Sequence, residues 1–317
     1  MNTKKYLRFF AELAEDGKIP LELYDRMLAE IAKEGGRMNK RVYAVYLDEL
    51  EKLRAFDVDG SPFDTEKSAN TDGSYVYKRP KNPFWLLSRA VCGGLFKAVA
   101  WIAAGIGFGV WRVKDRKKLK GVGACITTSN HIGYLDCLLT RRAMGGKRQN
   151  IIVAPHNRKR TAGGAIIAAV SGVPLPKTIG GARAFADMLE YLKSKNTAIH
   201  FYAEQSMWIG YKKPRPYKDG AFYYADMLDV PIVPMLYCYG KPNFIRRLLH
   251  LPKMKIAIAD PIYIDKASGV RARRNDVAKR CETAVRELYE SYYGIPLEYA
   301  SPDTDGEADD ATVQVSA

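Results

Sequence analysis

The spacing of hydrophobic positions changes several times along the chain. Over residues 1–56 apolar side chains recur at helical intervals, Leu21, Tyr24, Leu28 and Ile31 in one stretch and Val42, Val45, Leu50 and Leu53 in the next, which predicts a small N-terminal helical appendage. Residues 57–83 have no period and are rich in Asp, Gly, Ser, Asn and Pro, the composition of a linker. Within them Asp57-Val58-Asp59-Gly60 reads as a turn, because the remaining ligands of a calcium loop are missing. Residues 84–111 are the most apolar part, yet Arg89 and Lys97 interrupt them, and the longest uncharged run is 98–111. As a helix that run reaches about 21 Å, short of the roughly 30 Å hydrocarbon core. It reads as a buried core helix or, given Phe84, Trp85, Trp101, Trp111 and flanking basic residues, as a segment lying in a membrane interface.

Beyond residue 112 short β-prone runs (122–129, 150–154, 197–203 and 231–239) alternate with helical ones (136–144, 182–195 and 221–228). Late strands follow in 255–264, and then a long amphipathic helix over 270–293. The alternation predicts an α/β domain over 112–300, with a largely parallel or mixed central sheet flanked by helices. Residues 301–317 hold five acidic and no basic side chains and read as a disordered tail.

Composition narrows the class of protein. With 47% hydrophobic and 27% charged residues in 317, and only 26 Gly and 16 Pro, the chain is neither fibrous nor collagen-like. Five cysteines, odd in number and never arranged as CxxC, suggest neither a disulfide framework nor a zinc cluster and fit a reducing, cytoplasmic compartment. Met1 leads straight into a charged helical pattern, not into a secretory signal. The formal charge is +15; setting aside the first 56 residues (net +1) and the tail (net −5) leaves +19 on residues 57–300. The α/β body is therefore the basic object, suited to nucleic acid, an anionic membrane or a phosphorylated substrate.

The candidate chemistry sits where a strand gives way to a helix. His131 and Asp136 follow the run 122–129, and they can meet only if His131 lies in the turn and Asp136 begins the helix, since five residues on a regular helix separate directions by about 140°. A histidine whose second nitrogen is bonded to a carboxylate is fixed in tautomer and becomes a better base. A polar turn residue followed by a helix N-cap is the alternative these residues leave open. No GxSxG is present, and Cys137 falls one residue into the helix, so a Ser or Cys nucleophile is not indicated.

Asn130-His131-Ile132-Gly133-Tyr134-Leu135-Asp136 resembles the NHxxxxD signature of the glycerolipid acyltransferases, and further blocks follow in that family's order. Gly172-Val173-Pro174-Leu175-Pro176-Lys177 is similar to a degenerate second block; Glu204-Gln205-Ser206 lies where the family has Glu-Gly-Thr; Tyr217-Lys218-Asp219-Gly220 and Val230-Pro231-Ile232-Val233-Pro234-Met235 complete the series. The resemblance covers about 121–239 and is best to the 1-acylglycerol-3-phosphate acyltransferases of the PlsC type. Three positions depart: Gly133 for the usual Ser, Gln205 for Gly, and Met207 for an Arg that the family uses near phosphate.

The resemblance implies acyl transfer from a thioester of acyl carrier protein or coenzyme A to the hydroxyl of a lysophospholipid, without metal or organic cofactor, at the cytoplasmic face of a membrane. It implies His131 as general base, Asp136 as its orienter and Glu204 as an acceptor-orienting group. Lys177, Lys212, Lys213, Arg215 and Lys218 would supply a phosphate pocket, with Arg215 the favoured phosphate contact because Pro214 and Pro216 stiffen its loop. The rival reading is a non-catalytic protein bound by charge to membrane or nucleic acid, supported by runs such as Arg158-Lys159-Arg160; no zinc finger, RNP-like strand or helix-turn-helix pattern supports a nucleic-acid partner.

Overall fold

The computed structural model describes residues 1–62, 77, 82–157, 167 and 171–301. Most of the 57–83 linker, Arg158-Lys159-Arg160 and nearly all of the acidic tail lie outside them.

Three helices open the chain: α1 (Thr3–Glu15), α2 (Leu21–Lys33) and α3 (Lys40–Lys52). Asn2 and Asn39 cap α1 and α3 by accepting the N–H of Lys5 and Val42, and Pro20 precedes α2. Their shared core differs from the expected face. In α2 the buried seam is Leu23, Met27 and Ile31, with Leu21 exposed; in α3 it is Val42, Tyr43, Tyr46, Leu47 and Leu50, with Leu53 exposed. Tyrosines provide much of this core, because a ring can be buried while its hydroxyl finds a partner at the rim.

Helix α4 (Pro83–Ile106) carries most of the apolar stretch. Ala100 and Ala104 are fully buried, and such small side chains let α5 (Asp136–Met144) pack closely, while Phe84, Leu87, Val91, Leu95 and Ile106 stay exposed. No helix among the described residues is long and apolar enough to cross a membrane.

The central sheet has six strands: β1 (Cys125–Thr128), β2 (Gln149–Val153), β3 (Gly172–Pro174), β4 (Ala198–Phe201), β5 (Ile232–Gly240) and β6 (Lys253–Ile258). Their order is β3-β2-β4-β1-β5-β6; the first five run parallel and β6 pairs antiparallel with β5. The sheet is thus mixed, as expected. Successive side chains feed opposite cores. Ile126 and Ile199 join α6 (Ile179–Ser194), α7 (Gly220–Leu228) and α9 (Val270–Tyr293) on one face, while Cys125 and Ala198 join α5 on the other. Burial on both faces explains why the strands read as continuous apolar runs rather than alternating ones. The three-residue β3 and the short helix α8 (Phe244–Leu248) are too brief to have left a periodic signal.

A third core belongs to both parts of the molecule. Met207, Trp208, Ile209 and Tyr211, from the loop after β4, are buried among the side chains of α1–α3.

Candidate active site

Because β1, β3 and β4 are parallel, the segments that follow them leave the sheet at one edge, the edge where open α/β sheets place their ligands. His131 follows β1, Lys177 follows β3 and Glu204 follows β4. The sheet order sets β1 beside β4, so His131 and Glu204 are neighbours, whereas β3 lies three strand spacings away, about 14 Å.

The turn that carries His131 is pinned at both ends. Asn130 bridges to β5 with its side-chain amide, donating to the Tyr237 carbonyl at 3.0 Å and accepting the Tyr237 N–H at 2.8 Å. At the other end Asp136, 3% exposed, directs Oδ2 back into the turn, where it accepts the N–H of Ile132 at 2.7 Å and of Gly133 at 2.9 Å and meets His131 Nδ1 at 2.9 Å. This is not an N-cap: Leu135 is the capping position, and the Asp136 carboxylate faces the preceding residues instead of the helix. Facing a carboxylate, Nδ1 carries the ring proton, so Nε2, which hydrogen-bonds to no described residue, presents its lone pair. A Cβ at residue 133 would stand 3.3 Å from Asp136 Oδ1, which makes glycine the comfortable occupant of this tight turn.

The imidazole lies flat on the Tyr202 ring, with centroids 4.1 Å apart and planes inclined by 13°. Burial raises the Tyr202 phenol well above its ordinary range, so the ring stays neutral, and its hydroxyl lies 3.2 Å from Thr140 Oγ1. Beneath it His200 is fully buried between Thr127 Oγ1 and Ser129 Oγ, and burial lowers its pKa to about 3, so it too is neutral. His200 is a structural residue, and so is Cys137, whose thiol burial raises to about 11 and keeps from acting as a nucleophile. Tyr202 was not indicated by any sequence pattern; its place two residues before Glu204, at the end of a strand adjacent to that of His131, was the available clue.

Glu204 and Arg215 occupy the back of the turn. Glu204 Oε2 accepts the main-chain N–H of His131 at 3.1 Å, together with Arg215 Nε at 3.1 Å and Nη2 at 2.7 Å, while Oε1 accepts the Arg215 main-chain N–H at 2.8 Å. Both side chains are 0% exposed. The remaining guanidinium N–H groups end on Ser206 Oγ, the Ser206 carbonyl and the Phe56 carbonyl, and the ring of Trp208 lies 4.5 Å from the guanidinium carbon. With all five donors occupied and no exposed surface, Arg215 has nothing to offer a phosphate. Glu204 is likewise buried: it stands as counter-charge to the guanidinium and accepts the main-chain N–H of the histidine.

The other cations are spread out. Lys213 pairs with the buried Glu51 of α3 at 2.7 Å. Lys218 is half exposed, 3.5 Å from the exposed Asp57, and its main-chain N–H donates to Ala203, next to Glu204. Lys212 is half-buried, and Lys177 is exposed beyond β3. Of the other two departures from the family pattern, the backbone at Gln205 still suits the family's glycine, whereas Met207 fits its surroundings. Gln205 has φ 67°, the left-handed backbone that a glycine adopts freely. Met207, at the position of the usual arginine, is 2% exposed within the core of α1–α3, where a free charge could not stand.

Residues 110–238 match the family model described as Acyltransferase. The chain carries an acyltransferase domain. The matched stretch of this acyltransferase holds β1 to β5 with His131, Asp136, Glu204 and Arg215, while α1–α3, most of α4, β6 and α9 lie outside it. Acyl transfer to an oxygen acceptor is the chemistry of such an enzyme. Among solved structures the chain is similar to the crystal structure of the 1-acyl-sn-glycerophosphate (LPA) acyltransferase PlsC from Thermotoga maritima, at 14% identity over 90% of this chain and 97% of that one. The TM-score is 0.40, an overlap too loose to carry an inference about chemistry. No curated protein matches the chain significantly.

Proposed function

We propose that the protein transfers an acyl group from an acyl thioester to the hydroxyl of a lysophospholipid, 1-acyl-sn-glycerol-3-phosphate giving phosphatidic acid. The observation that supports this most is the 2.9 Å contact of His131 Nδ1 with a buried Asp136 carboxylate at the mouth of the sheet. Nε2 of His131, on a ring whose side chain is 22% exposed, takes the proton of the acceptor hydroxyl as its oxygen bonds to the thioester carbonyl carbon. The tetrahedral intermediate then collapses, the C–S bond breaks, and the imidazolium returns the proton to the departing thiolate. Asp136 holds the ring and stabilises its charged form. The family's chemistry needs neither metal nor organic cofactor. A protein that binds by charge alone gives no reason for a buried carboxylate on an imidazole.

Thioester release by purified protein, measured against a panel of lysolipids with acyl carrier protein and coenzyme A donors, tests the reading and identifies both substrates. His131→Ala is expected to lower kcat by about a thousandfold or more and Asp136→Asn by about a hundredfold or more, with little loss of folding, since base and orienter act together. Activity within threefold of wild type in either variant refutes the assignment.

For the acceptor phosphate we favour Lys218, which stands beside the Glu204 segment with one long contact to an exposed carboxylate; Lys212 and Lys177 complete the basic edge. Attachment is proposed to be monotopic, at the cytoplasmic leaflet, with the exposed apolar side chains of α4 in the interface and basic residues drawn to anionic lipid. In vesicle flotation high salt should loosen the protein without releasing it, because apolar contact is unscreened. Full recovery in the soluble fraction at low salt without detergent would remove this part of the proposal.

A further inference from the structure

The family match begins at residue 110, yet the turn that holds His131 is secured from residues far ahead of it. Trp208 donates its main-chain N–H to the His131 carbonyl at 3.1 Å, and Gly210 donates to the Ile132 carbonyl at 2.9 Å. These are two rungs of a ladder between the loop after β4 and the turn after β1, beyond the last paired residues of both strands. A loop can serve as such a brace only if it is itself rigid. Here its rigidity comes from α1–α3 and from the strap of residues 56–60 that follows them.

Each part of the brace has its own tie. Tyr43 of α3 accepts the Ile209 N–H through its hydroxyl oxygen at 3.0 Å, and Tyr211 donates its hydroxyl to Glu51 at 2.6 Å. From the strap, the Val58 carbonyl accepts the Trp208 indole N–H at 2.8 Å, the Gly60 N–H donates to the Met207 carbonyl at 3.2 Å, and the Phe56 carbonyl accepts both Ser206 Oγ–H at 2.9 Å and Arg215 Nη1–H at 3.1 Å. The side chains of Met207, Trp208, Ile209 and Tyr211 are buried in the helical unit and not in either core of the sheet.

We propose that α1–α3 and the strap are part of the catalytic apparatus: acting through Tyr43 and Trp208, which are positioning residues, they hold the main chain of His131 so that its ring meets the reacting hydroxyl. The physical reason is the steep dependence of such proton transfers on placement, where a displacement of about 1 Å costs roughly a hundredfold in rate. The helical unit thereby does more than add stability, since the ladder it braces ends on the residue that moves the proton. This rests on the reading of His131 as the base, and the experiment separates the two.

Full-length Tyr43→Phe removes one acceptor in the buried core of the helical unit, and Trp208→Phe keeps a ring under Arg215 while losing the bond to Val58. With either, kcat should fall tenfold or more while KM for acceptor and donor stays within twofold and circular dichroism is unchanged. With 15N-labelled histidine, of which the chain has four, the ring resonances of His131 should move while those of His156, His200 and His250 stay in place; a purely structural role would not single out His131. Unmoved His131 resonances, or a kcat within twofold of wild type in both variants, would overturn the proposal. If His131→Ala were fully active while Tyr43→Phe still displaced the His131 resonances, the base assignment would fail and the bracing would stand. Should one variant unfold, the other decides.

Discussion

The two sides of His131 are built in opposite ways. In front, apart from the Tyr202 ring stacked on the imidazole, the turn and the first residue of α5 supply the contacts: Asp136 is five residues away, and one of its oxygens gathers the ring nitrogen and two main-chain N–H groups. Behind, the contacts come from Glu204, Trp208 and Arg215, which are in turn tied to Phe56, Val58 and Tyr43, so the chain separations run from 73 residues to more than 150. The front touches the imidazole and sets its chemistry, whereas the back touches only main chain and sets its place. A short local motif therefore sets the hydrogen bonding of the ring, and a long-range framework sets its place.

The two sides should fail differently. Loss of the proposed base in front should lower turnover and leave the fold alone. Behind, Arg215→Ala strands the Glu204 carboxylate in a buried site, and the expected cost is about 3–5 kcal/mol of stability, read as a lower urea midpoint. A variant of normal stability whose only defect is a higher KM for the acceptor would return Arg215 to the phosphate. Smaller and of another kind is the effect of Lys218→Ala, which should raise KM for a phosphate-bearing acceptor about tenfold, or about 1.4 kcal/mol, while slow hydrolysis of the donor thioester is nearly unchanged. An unaltered KM would send the phosphate contact toward Lys177 or Lys212. The smallest effect is Gln205→Gly, which relieves a left-handed backbone at a non-glycine residue. It should gain about 0.5–1 kcal/mol after the entropy of glycine is counted, with no change in kcat. A loss of stability there would mean that the Gln205 side chain contributes more than its backbone costs.

The same contrast explains what the sequence disclosed. The α/β alternation and the bounds of α5 and α9 could be read directly, because their apolar periods are long or their ends are marked. The pairing of His131 with Asp136 could be read as well, since a five-residue spacing at a strand-to-helix junction leaves one geometry in which they meet. The back of the site could not. Its bonds end on carbonyls and N–H groups, which every residue has, so no side-chain type betrays them. The expected face of α3, with Val45 and Leu53, leaves out Tyr43 and Tyr46, so it misses the seam that seats the loop after β4. Arg215 misled for a related reason. Flanking prolines do stiffen its loop, but the guanidinium is turned inward to Glu204.

Strand β6 has a consequence for anyone who would cut this protein to its recognisable part. A fragment confined to residues 110–238 would stop two residues before the end of β5 and discard the antiparallel strand that covers its outer side. The row of N–H and C=O groups now paired with residues 253–258 would be open to any other extended chain, and the apolar loop 207–211 would lose its seat at the same time. Such a piece would associate with copies of itself before it could turn over substrate. The boundary drawn by resemblance and the boundary within which the sheet edge and the apolar loop are covered are different lines, and expression trials should follow the second.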